Sequence, residues 1–261
     1  MHPIGETRYL STLPLTYPLR VGAVPAEVSL VSGGLTDLTD RLVAGELAAG
    51  PISVAGYLAN RDHFALVPNL SVSSWGRAGC GVLFSKGPLG PREGFLVAVP
   101  SRTAGTTYLL SSLLGDLFGL APTFVERTGS LTELLADHDA VLLFEDEAFA
   151  AIQAPPAGVE VWDLGDAWWQ FTNSPLIYTL WVMRQDLPEE TKQTITEALH
   201  GAKAALPSLR PALVAEAHAA TGLPAHLIEG FLGRFNYDFT PAHAQALALL
   251  EQRMLEHGFS R

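Results

Sequence analysis

Between Val28 and Met183 short apolar runs alternate with segments whose apolar positions recur every three to four residues. Val28-Ser29-Leu30-Val31 reads as a strand, followed by Gly33-Gly34 and a helix from Thr36 to Leu47 with Leu38, Leu42 and Val43 on one face. Pro51 to Val54 is a further short strand. Phe95 to Val99 reads as a buried strand that leads into a helix from Ala104 to Leu117, with Leu109, Leu110, Leu113, Leu114 and Leu117 inward. Strands are expected again at Thr123–Val125, Ala140–Phe144, Val159–Trp162 and Pro175–Met183. A helix at Leu131–Ala136 and a helical turn at Ala167–Phe171 separate them. Such alternation predicts an α/β fold with parallel sheets covered by helices. After Gln185 the pattern turns helical, with segments at 188–206, 211–221, 224–231 and 241–257, each opening at or near a proline.

The Gly/Pro density of Lys86–Gly94 breaks any regular element and marks the expected boundary between two lobes, with a return crossing near Pro175. The expected division is 1–88 with 178–261 as one lobe and 89–177 as the other, with the helical C-terminal segment on the first. Two crossings make a hinge, and ligand would then bind in the cleft between the lobes.

Two apolar runs end in turns crowded with small hydroxyl side chains. The first, from Leu66 to Ser85, carries Ser71, Ser73, Ser74 and Cys80; the second, from Phe95 to Leu110, carries Ser101, Thr103, Thr106 and Thr107 and opens directly into a helix. Free N–H groups at a helix start, with Ser and Thr hydroxyls beside them, suit a carboxylate or phosphate. Ordinary N-capping accounts for either turn alone. The pair, followed by the acidic turn Glu145-Asp146-Glu147, predicts a cleft for a small anion with more than one polar group.

Charge narrows the choice of partners. The chain has 261 residues and a formal net charge of −11, which argues against nucleic acid, where Lys and Arg on phosphates supply most of the affinity. An anionic ligand must therefore be held by local donors rather than by the field of the whole protein. The single cysteine, Cys80, excludes an internal disulfide and a Cys-based zinc cluster. Between Gly79 and Gly81 it reads equally as an inert core residue or as a cleft residue able to donate weakly or react. The eight histidines are scattered, and the acidic turn has no second acidic cluster near it, so no metal site is expected. Hydrolase, dinucleotide, phosphate-loop and zinc-protease motifs are all missing. Trp162, Trp168, Trp169, Phe171, Tyr178 and Trp181 crowd one stretch and read mainly as packing, with room for one aromatic against a ligand ring. The longest apolar runs, such as Ala246–Leu250, are too short to span a bilayer, and the first ten residues lack the pattern of a secretory signal. A cytoplasmic protein with no membrane partner is the expectation. The oligomeric state is not legible in the sequence.

Several of these segments resemble, in order, the motifs of a known family. Tyr9-Leu10-Ser11-Thr12-Leu13-Pro14-Leu15 is similar to the Tyr-Leu-Asn-Thr-Leu-Pro-Leu start of the menaquinone biosynthesis family that includes chorismate dehydratase. Leu42–Leu47 with Gly50-Pro51-Ile52-Ser53 resembles its second motif, and Pro68–Ser74 with Val82–Ser85 its third. Val141-Leu142-Leu143 with Asp146-Glu147-Ala148, then Asp163-Leu164-Gly165 with Trp168, then Pro175 with Trp181-Val182 and Arg184, continue the match to about residue 184. The resemblance implies a periplasmic-binding-protein-like fold of two α/β lobes. It also implies dehydration of chorismate to 3-[(1-carboxyvinyl)oxy]benzoate, the first step of the futalosine route to menaquinone, with no cofactor. Ser11 and Asp146 are the implied catalytic positions. Ser53, Ser73, Ser74, Cys80, Ser101, Thr103 and Thr106 are the expected substrate contacts.

The chain departs from the family pattern at points that touch this list. The family asparagine is Ser11 here, a serine is replaced by Cys80, and a glycine before Asp146 is replaced by Glu145; Ala48 and Gly56 stand where acidic residues are common. A small-anion solute-binding protein of the same fold, and a related enzyme or paralogue of the futalosine route, are the alternative functions. Restoring the family residues with Ser11→Asn and Cys80→Ser is expected to raise turnover.

Overall fold

Two sheets, each interleaved with helices, organise the computed structural model, which describes residues 1–100 and 104–260, with Ala104 and Gly105 given by backbone alone. The chain runs β1 (His2–Glu6), α1 (Leu13–Arg20), β2 (Val28–Ser32), α2 (Leu35–Val43), β3 (Ala49–Ser53), α3 (Val54–Ala59) and β4 (Phe64–Ser74). It continues through β5 (Gly81–Ser85), β6 (Leu96–Val99), α4 (Ala104–Phe118), β7 (Thr123–Glu126), α5 (Leu131–Asp137), β8 (Ala140–Phe144), α6 (Glu145–Ala151), β9 (Glu160–Asp163) and α7 (Leu164–Thr172). The rest is β10 (Leu176–Arg184), α8 (Glu189–Thr221), α9 (Ala225–Leu232), β11 (Phe235–Asn236) and α10 (Pro241–Glu256).

One unit comprises Met1–Ser73 with Ile177–Thr240, and its sheet has the order β11-β4-β10-β3-β1-β2. Its core gathers the inward residues of strands and helices, among them Ile4, Leu15, Leu38, Ile52, Leu180, Trp181 and Leu199, all essentially inaccessible. The other unit comprises Ser74–Leu176 with Pro241–Ser260, and its sheet has the order β7-β6-β8-β5-β9. Val82, Phe84, Ala98 and Val141 fill its centre with Leu134, Leu135 and Ala148. Each buried Val, Leu, Ile or Phe side chain among these contributes about 1.5–3 kcal/mol.

The division differs from the expected one. Lys86–Gly94 is a loop inside the second unit, not a boundary, and α10 belongs to that unit rather than to the first. The change of unit comes at Ser73/Ser74, the last residues of β4 and two residues before Gly76. The sheets are also mixed rather than parallel. β1 pairs in parallel with β2 and β3, and β6 with β7 and β8, but β10 runs antiparallel to β3, and β5 antiparallel to both β8 and β9.

Two local expectations change as well. The hydroxyl-rich stretch Ser71–Ser74 is strand, because Ser71 Oγ donates to the Asp238 carbonyl at 2.6 Å and Ser73 Oγ to that of Asn236 at 3.2 Å. The segments 188–206 and 211–221 form one helix, α8, with Pro207 and Pro211 inside it. Both prolines are exposed and four residues apart, so the missing backbone bonds fall on one outer side. Ile195, Leu199, Leu206 and Leu213, buried on either side of the prolines, hold the helix together. No helix among the described residues is long and apolar enough to cross a membrane.

Candidate functional site

In the first unit the candidate residues lie at strand ends and helix starts. β1 ends at Glu6, and the segment Thr7–Thr12 leads into α1. Ser11 is fully buried, and its carbonyl accepts a hydrogen bond from the Tyr237 hydroxyl at 3.1 Å. The Thr7 and Thr12 hydroxyls lie 2.5 Å apart, and Thr12 Oγ1 also donates to the Tyr9 carbonyl at 3.0 Å, which fixes the turn around Ser11. Ser53 caps α3 by accepting from the Gly56 N–H at 3.1 Å. Gly56, one of the family departures, is tolerated because a Cβ there would meet Thr39 Oγ1 at 3.1 Å and Ser53 Oγ at 3.3 Å. Ser73 is buried in β4 and donates its proton to the chain.

Glu6 is a residue the sequence pattern did not single out. It is 1% exposed, accepts from Ser32 Oγ at 2.9 Å and pairs with Arg8 at 3.0 Å, all through Oε1. Its Oε2 is buried and has no hydrogen-bond partner among the described residues. The available signal was an acidic residue closing an apolar strand beside Gly5.

In the second unit the candidate residues collect around the turn between β4 and β5. Ser74 Oγ donates to the Gly76 carbonyl at 2.7 Å, and Gly76 and Gly79 adopt left-handed backbone at φ 99° and 79°. Asp163, at the start of α7, holds this turn. Its Oδ1 accepts from the N–H groups of Asp166 at 3.0 Å and Ala78 at 3.3 Å, and its Oδ2 from that of Gly79 at 2.6 Å. Burial still lifts its carboxyl above the ordinary range, against the pull of those three N–H groups and of Arg77. In the sequence, Asp163 stands out only as part of the Asp163-Leu164-Gly165 motif. An Asp followed three residues later by a helical backbone N–H was the capping signal available.

Cys80 follows directly and is 1% exposed. Its thiol donates to Glu145 Oε1 at 3.2 Å, and the Glu145 N–H donates to the Cys80 carbonyl at 2.6 Å. Burial first, then the Glu145 carboxylate and more weakly Asp163, push the thiol well above its usual pKa. Cys80 is therefore a neutral S–H donor rather than a thiolate nucleophile. Glu145 is itself buried, and its backbone is left-handed at φ 50°, a conformation natural to glycine. Asp146, in the first turn of α6, is half-buried, as is Thr106 in the first turn of α4. Ser101 and Thr103 lie outside the described residues.

The aromatic stretch separates. Trp168 is fully buried in the second unit, where Trp162 meets Phe118 edge-on at 4.9 Å and Trp169 meets Trp75 at 5.6 Å. Trp181 is core and Tyr178 packs on Phe235 in the first unit. Trp75, which lies outside that stretch of sequence, is 49% exposed and backed edge-on by His243. Among the described residues, no group of three or more His, Cys, Asp or Glu side chains could hold a metal ion. A groove on the second unit is lined by Arg77, Phe118, Trp162, Asp163 and Phe171, and none of the described contact residues lines it.

The chain is similar to known proteins in sequence and in architecture. The family model described as menaquinone biosynthesis matches residues 3–256. The chain is 32% identical over 255 residues to chorismate dehydratase of Thermus thermophilus, covering 90% of this chain and 88% of that protein. It is 31% identical over 191 residues to 1,4-dihydroxy-6-naphtoate synthase of the same organism, covering 70% and 66% of the two chains. A solved protein of Archaeoglobus fulgidus superimposes with a TM-score of 0.81 at 20% identity, covering 98% of this chain and 97% of that one. The periplasmic aliphatic sulphonate binding protein of Escherichia coli gives 0.65 at 17% identity, covering 98% and 85%. The fold is periplasmic-binding-protein-like.

Proposed function

The chain belongs to the menaquinone biosynthesis family, and on that premise we propose that it is a lyase dehydrating chorismate to 3-[(1-carboxyvinyl)oxy]benzoate, the first step of the futalosine route. The observation that carries this reading is the near full-length likeness to a chorismate dehydratase. The reaction suits a site of neutral donors. Chorismate carries two carboxylates, and loss of the ring hydroxyl with the neighbouring ring proton makes the ring aromatic. The protein must orient the substrate and move one proton, and no cofactor is assigned to a redox-neutral loss of water.

The residues proposed to hold substrate are Ser11, Ser53 and Ser73 from the first unit and Ser74, Cys80, Ser101, Thr103 and Thr106 from the second. Thr106, near the start of a fifteen-residue helix, is suited to a carboxylate. Proton removal is the remaining task, and the sequence offers Asp146 or a carboxylate of the substrate itself. The net charge of −11 supports a small-molecule rather than nucleic-acid partner, and a biosynthetic enzyme of this kind works in the cytoplasm.

Incubation with chorismate followed by chromatography is the test, and the aromatic vinyl ether is the expected product. Thr106→Val should weaken chorismate binding roughly ten-fold, the effect of losing one hydrogen bond to a charged group; unchanged affinity by calorimetry removes Thr106 from the site. A second reading, a protein that binds a small anion without turning it over, is favoured by the replacements at Ser11 and Cys80. It predicts saturable chorismate binding with chorismate recovered intact.

A further inference from the structure

The groove on the second unit has a chemistry of its own. Its volume is about 660 Å³, within the range of small-molecule sites. All four residues of β9 form one side of it, and α7 with the end of α4 forms the rest. β9 is the last strand of its sheet, so no further strand among the described residues covers that side.

The walls are aromatic. Phe118 meets Trp162 edge-on at 4.9 Å, and Phe171 carries the Arg253 guanidinium 5.2 Å from its ring centroid, although Arg253 does not line the groove. All three rings are half-buried, so each is held by the protein and still meets water. Such rings can take a further ring by edge or offset-face contact.

Charges of both signs gather at one end. Asp163 closes β9, and its two oxygens are taken by backbone N–H groups, which makes it a scaffold. Through those bonds it fixes Ala78, directly after Arg77, and the backbone of Asp166 in α7. Arg77 and Asp166 therefore reach the groove from either side of one clamp. Arg77 is exposed and has no ion pair or hydrogen bond among the described residues. Asp166 is half-buried and accepts from Gln170 Nε2 at 3.0 Å through Oδ2. Glu160, another lining carboxylate, opens β9 roughly 10 Å further along the strand. A simple anion would meet Arg77 but be repelled by both carboxylates, and a simple cation would be repelled by Arg77. A molecule bearing a carboxylate and an ammonium on one carbon, with a ring beyond them, satisfies the charged end and the aromatic walls together.

We propose that this groove binds an aromatic α-amino acid, with its carboxylate on Arg77, its ammonium on Asp166 and its ring against Phe118, Trp162 and Phe171. The site is separate from the residues proposed for dehydration, and it stands whether or not the chain turns chorismate over.

Calorimetry with L-phenylalanine on the whole chain tests the assignment. Saturable binding of one equivalent is expected, whereas L-alanine, which lacks the ring, should give none in the same range. Phenylpropionate lacks the ammonium and phenethylamine lacks the carboxylate; each should bind about ten-fold more weakly or worse, the loss of one hydrogen bond to a charged group. Arg77→Ala and Asp166→Asn should each weaken L-phenylalanine by a similar factor. Ala167→Phe, which places a side chain in the groove, should abolish binding, and melting curves will show that each variant is folded. Thr106→Val, altered at the expected chorismate site, should bind L-phenylalanine as the parent does. Absence of saturable heat at millimolar L-phenylalanine overturns the proposal. So does binding that Arg77→Ala leaves unchanged or that Thr106→Val abolishes, because the amino acid then sits on other residues.

Discussion

The two groups of candidate residues differ in what their polar atoms are doing. In the first unit Ser53 caps a helix and Ser73 ties β4 to a neighbouring carbonyl, while the turn holding Ser11 is closed by Thr7, Thr12 and Tyr237. These are low-strain arrangements in which hydroxyls satisfy the chain's own backbone. In the second unit the turn into β5 is tied down by Asp163, and the residue it delivers, Cys80, meets a buried carboxylate on a left-handed backbone. A hydroxyl-rich segment is thus weak evidence of a binding site, since the hydroxyls have ready structural uses. A residue kept in a conformation it disfavours carries a cost that the surrounding structure must enforce.

Removing the scaffold should have the largest effect. Asp163→Ala leaves two buried turn N–H groups and the start of α7 without an acceptor, at a cost of roughly 3 kcal/mol. Urea unfolding should show a lower midpoint at constant slope. A loss under about 1 kcal/mol would mean that the turn before Cys80 is held by other contacts. Ser53→Ala in the first unit should cost about 1 kcal/mol, the ordinary value of an N-cap. If its effect on stability is nil, the Ser53 hydroxyl is not held as a cap and the contrast between the units is wrong.

The smallest effect is a dependence on pH. Burial lifts the Asp163 carboxyl above its ordinary value of 3.8, so between that value and its raised one the folded protein holds more proton than the unfolded chain. Stability from this group is therefore fully present below about 3.8 and is lost as pH rises through the folded value. Melting temperatures of the parent minus those of Asp163→Asn should increase as pH is lowered from 7 to 4. A flat difference would show that burial does not govern this carboxyl.

Much of the fold was legible because the apolar runs are clean. The strand expected at Ala140–Phe144 has those bounds, and the helix expected from Ala104 to Leu117 ends one residue later. The failures have physical reasons. Ser71, Ser73 and Ser74 look like a turn by composition, yet β11 and the residues beside it supply the acceptors that let them sit in a strand. Pro207 and Pro211 look like helix stops, but burial on the inner side of α8 outweighs two missing outer bonds. The loop 86–94 has the composition of a hinge and is only a surface connection, whereas the change of unit comes at the end of a strand, at Ser73/Ser74, where the hydroxyl-rich composition points to a turn rather than to a boundary. At the site, the sequence showed that Glu145 stands where the family has glycine and that Cys80 replaces serine. It could not show that the two replacements meet, because that depends on the β5–β8 register and on a positive φ.

The central claim is that the chain dehydrates chorismate. Incubation of the purified protein with chorismate, followed by chromatography, tests it directly. The account predicts loss of chorismate with appearance of the aromatic vinyl ether. Saturable binding with chorismate recovered intact would contradict it.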